Sequence, residues 1–453
     1  MSFLGALLEN LRLLPRRAWR ELRPGRDPLP PGGDEASRRL RRAFVLHLHP
    51  LRVTERALSP WVTLGLGLLT GTLFLALALS GALLMVYYVP SPERAHASML
   101  DLQHAVAFGA FLRAVHRWAA HGMLVTVGLH LLRVTAQGAY RRRELNWLLG
   151  LGLLGTTLGL AFTGYLLPWD QRSFWAVTVS ANLLDHVPWL GAWLKALFLG
   201  GDQVGPAALV RFYALHVAVL PALLLGLLAL HLWRLRKDGG LAASAGQPAL
   251  VPAWPHLVLR EAAVALAALA AVCTLAALLD APLGAPIDPH LPSNPEKAPW
   301  YFVWVQEMVS YSAPVGGVIF PGLLGLLLCL LPFLDREDEG LGRWFGPGRV
   351  RAWALGWGGA GLLAFVAFEA LYLGAQAGGD APASDLWNPA TGMLLVAGLA
   401  FLGAGTLARS TRAACLACLL VLLVALVGFM AVGQCRGPDW VFYWPWEAWP
   451  GGV

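Results

Sequence analysis

"RAVHRWAAHGMLVTVGLHLLRV", residues 113–134, reads as a membrane-spanning helix that carries three histidines, His116, His121 and His130. A helix turns about 100° and rises about 1.5 Å per residue, so the step from His116 to His130 returns to within about 40° of one face and separates the rings by about 21 Å. His121 lies about 140° around from His116 and is assigned no ligand role. Ionisable side chains at membrane depth are expensive and usually functional. Two aligned imidazoles, one near each end of a span, therefore imply partner residues elsewhere in the chain.

"RFYALHVAVLPALLLGLLALHLWRLRK", residues 211–237, repeats the pattern with His216 and His231. Their separation corresponds to about 60° and about 22 Å. Both helices cross the membrane in the same direction, so His116 is level with His216 and His130 with His231. Any one of these residues alone reads as a satisfied core histidine. Four in register define two bis-histidine sites stacked across a bilayer, the arrangement of a dihaem b-type electron wire. Glycines give an independent check, because a flat macrocycle against a helix requires side chains to be absent where it touches backbone. Gly67 and Gly81 in the first span, and Gly150 and Gly164 in the third, repeat the same spacing. Ordinary small-residue helix packing is the alternative for the glycines taken alone.

The rest of the composition agrees with an all-α, polytopic membrane bundle. Of 453 residues, 57% are hydrophobic and 13% charged. Runs long enough to cross a hydrocarbon core occur near 62–89, 112–133, 147–166, 209–233, 260–279, 314–334, 352–373, 391–408 and 413–432. The net charge of +7 is distributed by topology. Arginines crowd the segment before the first span and the loops after spans two, four, six and eight, among them Arg141, Arg142, Arg143, Arg234, Arg336, Arg343 and Arg409. The opposite loops hold only Arg94, Arg172, Lys195, Lys297 and Arg436. By the positive-inside rule the N-terminus is expected in the cytoplasm and the C-terminal tail outside, in the periplasm. This distribution argues against nucleic acid as a partner. The Arg-rich start has no long apolar core of a cleavable signal peptide, so the first span is expected to act as the insertion signal. Five cysteines form no expected disulfide framework, no CxxCH motif is present, and the Cys415/Cys418 pair at the start of an apolar helix reads as small-residue packing.

The stretches "RAVHRWAAHGM", "RRRELNWLLGLGLLGTTLGLAFTGYLLPWDQRSFWAV" and "RFYALHVAVLP" resemble, in order and spacing, the cytochrome b family of bc complexes, most closely the b6 type. The likeness covers about residues 60–240. It implies a haem on His116 and His216 near the outside, a second on His130 and His231 near the inside, and Arg113, Arg117, Arg133 and Arg211 beside the haem propionates. Residues 241–373 resemble subunit IV more faintly, through "NPEKAPWYFVWVQE". There the family carries Pro-Glu-Trp-Tyr at its outer quinol pocket. Trp300 and Tyr301 remain, but Pro299 stands where the glutamate belongs. Glu307, or else Glu296, is the expected replacement proton acceptor. Gly65 occupies the position where the b6 type attaches a further haem through cysteine, so no covalent haem is expected.

The expected organisation is an Arg-rich cytoplasmic segment (1–61), a dihaem four-helix bundle (62–240), a subunit IV-like three-helix region (241–373), and two extra spans with an aromatic tail read as a partner-docking surface (374–453). The resemblance implies a bacterial inner-membrane subunit with two non-covalent b haems that passes electrons between quinol or quinone in the lipid and a Rieske iron–sulfur protein or c-type cytochrome outside, within a homodimeric complex. Two rivals remain: a dihaem anchor that reduces quinone with electrons from an external dehydrogenase or multihaem cytochrome, and a transporter with structural histidines.

Overall fold

The computed structural model describes residues 3–22, 52–238, 249–291, 294–337, 339–379 and 384–447. Most of the Arg-rich segment expected over 1–61, and the last residues of the tail, lie outside these. Among the described residues nine helices are long and apolar enough to span a membrane, matching the number expected. They are α2 (Leu66–Tyr87), α3 (Gly109–Ala136), α4 (Glu144–Leu166), α5 (Pro206–Arg236), α6 (His256–Leu278), α8 (Val315–Leu334), α9 (Gly348–Ala377), α10 (Pro389–Ala408) and α11 (Thr411–Gln434). Two further helices matter below: α1 (Phe3–Leu22) and α7 (Val303–Tyr311). The sequence reading missed α1, whose Phe3 packs edge-on against Phe401 of α10 and whose Asn10 Nδ2 donates to the Leu334 carbonyl at 3.1 Å.

Neighbours in sequence pair in space, as short connections favour. Helix α2 packs on α3 and α4 on α5, giving the four-helix bundle, with α6 lying against α2 and α3. On the arginine-rich face a two-stranded antiparallel ribbon joins β1 (Arg52–Thr54) to β2 (Leu250–Pro252), with Val53 opposite Val251. It ties the entry to the first span to the entry to α6. Helices α9, α10 and α11 pack closely on one another, and α7 lies on α11. The division expected at residue 373 lies within the last turn of α9, which continues to Ala377. Cys415 and Cys418 are buried within this region and all five cysteines are free thiols.

Helix ends follow local chemistry. Asp170, in "LPWDQ", caps the helix Gln171–Leu183: its side chain accepts from the Ser173 N–H at 2.9 Å, and the Ser173 hydroxyl closes a capping box. Its second oxygen accepts from Gly284 N–H at 2.8 Å, which fastens the α4–α5 connection to the α6–α7 connection on the face opposite the arginines.

Candidate haem-binding and quinol site

The four aligned histidines face the interior of the α2–α5 bundle, each against one of the four glycines. A Cβ on Gly81 would meet His116 Cε1 at 3.1 Å and one on Gly67 would meet His130 Cε1 at 3.4 Å. Across the bundle, Gly164 faces His216 at 2.5 Å and Gly150 faces His231 at 3.5 Å. Thus each glycine of α2 serves a histidine of α3, and each glycine of α4 a histidine of α5. An apolar layer of Leu73, Met123 and Leu224 separates the two levels.

The rings are oriented through Nδ1. His116 Nδ1 is 2.9 Å from Ser80 Oγ, His216 Nδ1 is 3.1 Å from the Leu160 carbonyl, and His231 Nδ1 is 3.2 Å from the Asn146 carbonyl. Holding one ring nitrogen on a carbonyl sets the tautomer and leaves Nε2 for a metal. His130 Nδ1 is buried with no hydrogen-bond partner among the described residues. The His116 and His216 ring centres are 6.2 Å apart. A metal bonded at about 2 Å to one nitrogen of each imidazole needs about that separation. Paired donors and glycine-lined backbone fit a bis-histidine haem at each level, with one ring of each pair held on a backbone carbonyl.

The step from His216 to His231 exceeds that from His116 to His130 by one residue, and the backbone accounts for it. Residues Leu215–Val219 form a π-helical turn within α5. Such a turn bonds i to i+5 and so absorbs one extra residue, which brings His231 back to the same face relation as His130. The turn ends just ahead of Pro221, whose ring clashes with the carbonyl four residues earlier in a regular helix. A second π turn, Val315–Ile319, precedes Pro321 in the same way.

The four arginines divide by level. Arg113 is buried at the end of α3 near His116, donating to Gln103 and, at 3.3 Å, to the Ala281 carbonyl. Arg117, one turn on, is exposed, and Arg211 donates to the Ala196 carbonyl at 3.0 Å. Arg133 lies at the other level and clamps the Val62 carbonyl through two nitrogens, at 2.8 and 2.6 Å. Gly65 has φ +61°, a left-handed conformation that side chains disfavour, giving the glycine a backbone reason to be there.

On the face opposite the arginines, Trp300 and Tyr301 do come together, and with a residue set aside on sequence grounds. Trp300 Nε1 donates to His121 Nδ1 at 3.0 Å, and the His121 ring lies tilted against Trp118 and Tyr301, at 5.6 and 6.3 Å between centres. Burial pushes the Tyr301 hydroxyl up to about 12, so it is a neutral donor. The angular distance of His121 from His116 was the signal that it faces a different neighbour.

Glu307 is placed elsewhere than expected. It is fully buried in an ion pair with Arg436, whose Nε lies 2.9 and 3.0 Å from its two oxygens. Tyr311 Oη at 2.5 Å and Trp440 Nε1 at 3.1 Å also donate to it. A carboxylate has about four acceptor positions, and these donors occupy them. The expected proton acceptor is therefore committed to a structural network, and so is the beginning of the tail: Arg436 bridges to Phe442, and Asp439 N–H donates to Asn294 Oδ1 at 2.7 Å. Within the described part of the tail, the exposed aromatic side chains are Trp444 and Trp446, stacked at 5.0 Å.

Nine candidate membrane spans among the described residues, with two histidine levels in one bundle, place the chain in the class of helical membrane proteins built to hold haem. A profile of the cytochrome b(N-terminal)/b6/petB family matches residues 121–286. Cytochrome b6 of Heliobacterium mobile is 45% identical over 175 residues, 38% of this chain and 82% of that protein. The menaquinol:cytochrome c reductase cytochrome b subunit of Bacillus subtilis (strain 168) is 46% identical over 163 residues, 36% of this chain and 73% of its own length. The cytochrome bc complex cytochrome b subunit of Chlorobaculum thiosulfatiphilum is 33% identical over 307 residues, 65% of this chain and 71% of that protein. A chain of a hyperthermophilic respiratory Complex III has the same fold, with a TM-score of 0.61 at 23% identity, over 88% of this chain and 98% of its own. The chain belongs to the cytochrome b family, as a bc-type cytochrome b joining b6-like and subunit IV-like parts.

Proposed function

We propose that this chain is the cytochrome b subunit of a bacterial quinol oxidoreductase, embedded in the inner membrane with its arginine-rich face in the cytoplasm and its tail in the periplasm. His116 with His216, and His130 with His231, would each hold one b haem. The observation that carries this reading is the match of each histidine to a facing glycine at two levels of one bundle. When bound, the haems supply one-electron carriage across the membrane. The protein's part is to fix ligand tautomers through Ser80 and the Leu160 and Asn146 carbonyls, to keep apolar side chains between the levels, and to offer Arg113, Arg117, Arg211 and Arg133 to the propionates. Quinol would bind beside Trp300 and Tyr301, and its electrons would pass to a Rieske protein or c-type cytochrome of the same complex, taken to be a homodimer.

One observation favours the opposite direction, quinone reduction by an external donor. Pro299 replaces the family carboxylate, and Glu307 is held by Arg436, Tyr311 and Trp440. Purification of the native complex tests both readings. Two b-type signals in the reduced-minus-oxidised spectrum, with a Rieske or c-type subunit and quinol-driven reduction of that subunit, support the first. A co-purifying dehydrogenase or multihaem cytochrome with no quinol oxidation supports the second, and absence of any haem signal would remove both.

A further inference from the structure

The network around Glu307 contains a second buried carboxylate that the electron-transfer reading does not use. Glu369 lies on α9, 5% exposed, and Tyr311, 7% exposed, stands between the two acids. Tyr311 Oη is 2.5 Å from Glu307 Oε1, and 2.9 and 3.1 Å from the two oxygens of Glu369. A tyrosine hydroxyl has one hydrogen. If that hydrogen goes to Glu307, the close approach of Glu369 brings oxygen against oxygen with nothing between them. If it goes to Glu369, the shorter contact to Glu307 is left bare. One further proton resolves both contacts.

We propose that Glu369 is a buried proton-binding site, a carboxylic acid that is protonated at neutral pH and donates to Tyr311 Oη while Tyr311 donates to ionised Glu307. The charge distribution agrees. Arg436 makes its ion pair with Glu307 and none with Glu369. Lys297, a second cation near this network, donates to the Gln434 carbonyl at 2.8 Å. An ionised carboxylate at Glu369 would thus be desolvated without a cationic partner in contact, which costs far more than burying the neutral acid. The chain of groups runs from Glu369 through Tyr311, Glu307 and Arg436 to Gln376 Oε1, 3.3 Å from Arg436 Nη1 on the exposed end of α9. The site therefore has a polar route to the face opposite the arginines.

Infrared spectroscopy of the detergent-solubilised full chain at neutral pH tests this. A protonated carboxyl gives a C=O stretch, shifted in heavy water, that a carboxylate lacks. The wild-type minus E369Q difference should contain one such band, and the wild-type minus E307Q difference should not. In addition, E369Q should match the wild-type melting temperature, because an amide N–H can donate to Tyr311 Oη as the acid does, whereas E307Q should melt lower. No band in the E369Q difference, a band lost with E307Q instead, or an E369Q variant as unstable as E307Q would each overturn the assignment.

Discussion

A Cβ on Gly164 would lie 2.5 Å from Cε1 of His216 and 3.0 Å from its Nδ1, closer than real Cβ atoms come to a neighbour. Glycine at 164 is thus a condition for the imidazole position. Gly164→Val should abolish or shift the spectrum of the haem at the His116/His216 level and leave the other intact. Gly128→Ala, where a Cβ meets nothing within 4 Å, serves as the silent control.

His231→Ala should remove the haem on the arginine-rich side and spare its partner, because the two levels share helices but no ligand. Haem content and the reduced-minus-oxidised spectrum of the purified variant measure this. Retention of both haems would defeat the ligand assignment.

Glu307→Gln addresses the role expected from sequence, a proton acceptor whose loss lowers quinol oxidation by about 10²-fold with stable protein. The buried pair with Arg436 leads to a different expected outcome. Leaving Arg436 unpaired in the interior should destabilise the chain by about 3–5 kcal/mol. Combining Glu307→Gln with Arg436→Met should recover much of the loss. Melting curves of the two single variants and the double variant give the coupling directly.

His121→Phe keeps an aromatic ring beside Trp118 and Tyr301 but removes the acceptor for the Trp300 indole N–H. An unsatisfied buried donor costs about 1–3 kcal/mol, so Trp300 should reorient. Under the proposed quinol reading, KM for quinol should rise while both haem spectra stay unchanged. An unaltered KM would detach His121 from the pocket.

Asp335 marks a pH-dependent element on the arginine-rich side. It is fully buried and accepts from Tyr140 Oη at 2.5 Å. Burial raises its pKa, a rise that Arg141 and the Tyr140 hydrogen bond oppose. With the folded value above the unfolded one, the folded state binds the proton more tightly, so the contribution of Asp335 to stability is present at low pH and is lost as pH rises through that interval. Asp335→Asn should flatten this part of the profile of melting temperature against pH.

The parts legible in the sequence are those written as local period and charge. Nine apolar runs, alternating arginine loops, and histidines and glycines in matching steps all depend on residues within one helix. The Glu307–Arg436 pair was not legible, because its members are far apart in sequence and meet only when the tail folds back over α7. Nor was α1, whose docking rests on Phe401 and the Leu334 carbonyl from distant helices. His121 was half legible: its angle excluded it from the His116 face, but no single helix says that Trp300 will arrive opposite.

The π turn at Leu215–Val219 acts as a dislocation in an otherwise regular lattice. Chain length and ligand angle are uncoupled at that point and nowhere else between His216 and His231. Removing one residue from 217–219 should relax the turn to α-helix and leave both imidazoles on their face. The same deletion between Arg117 and Leu129 of α3 would rotate His130 by about 100° away from its partner. Tolerance to changes in length is therefore concentrated in five residues of one helix, and relatives with a shorter step between these ligands should carry their gap there.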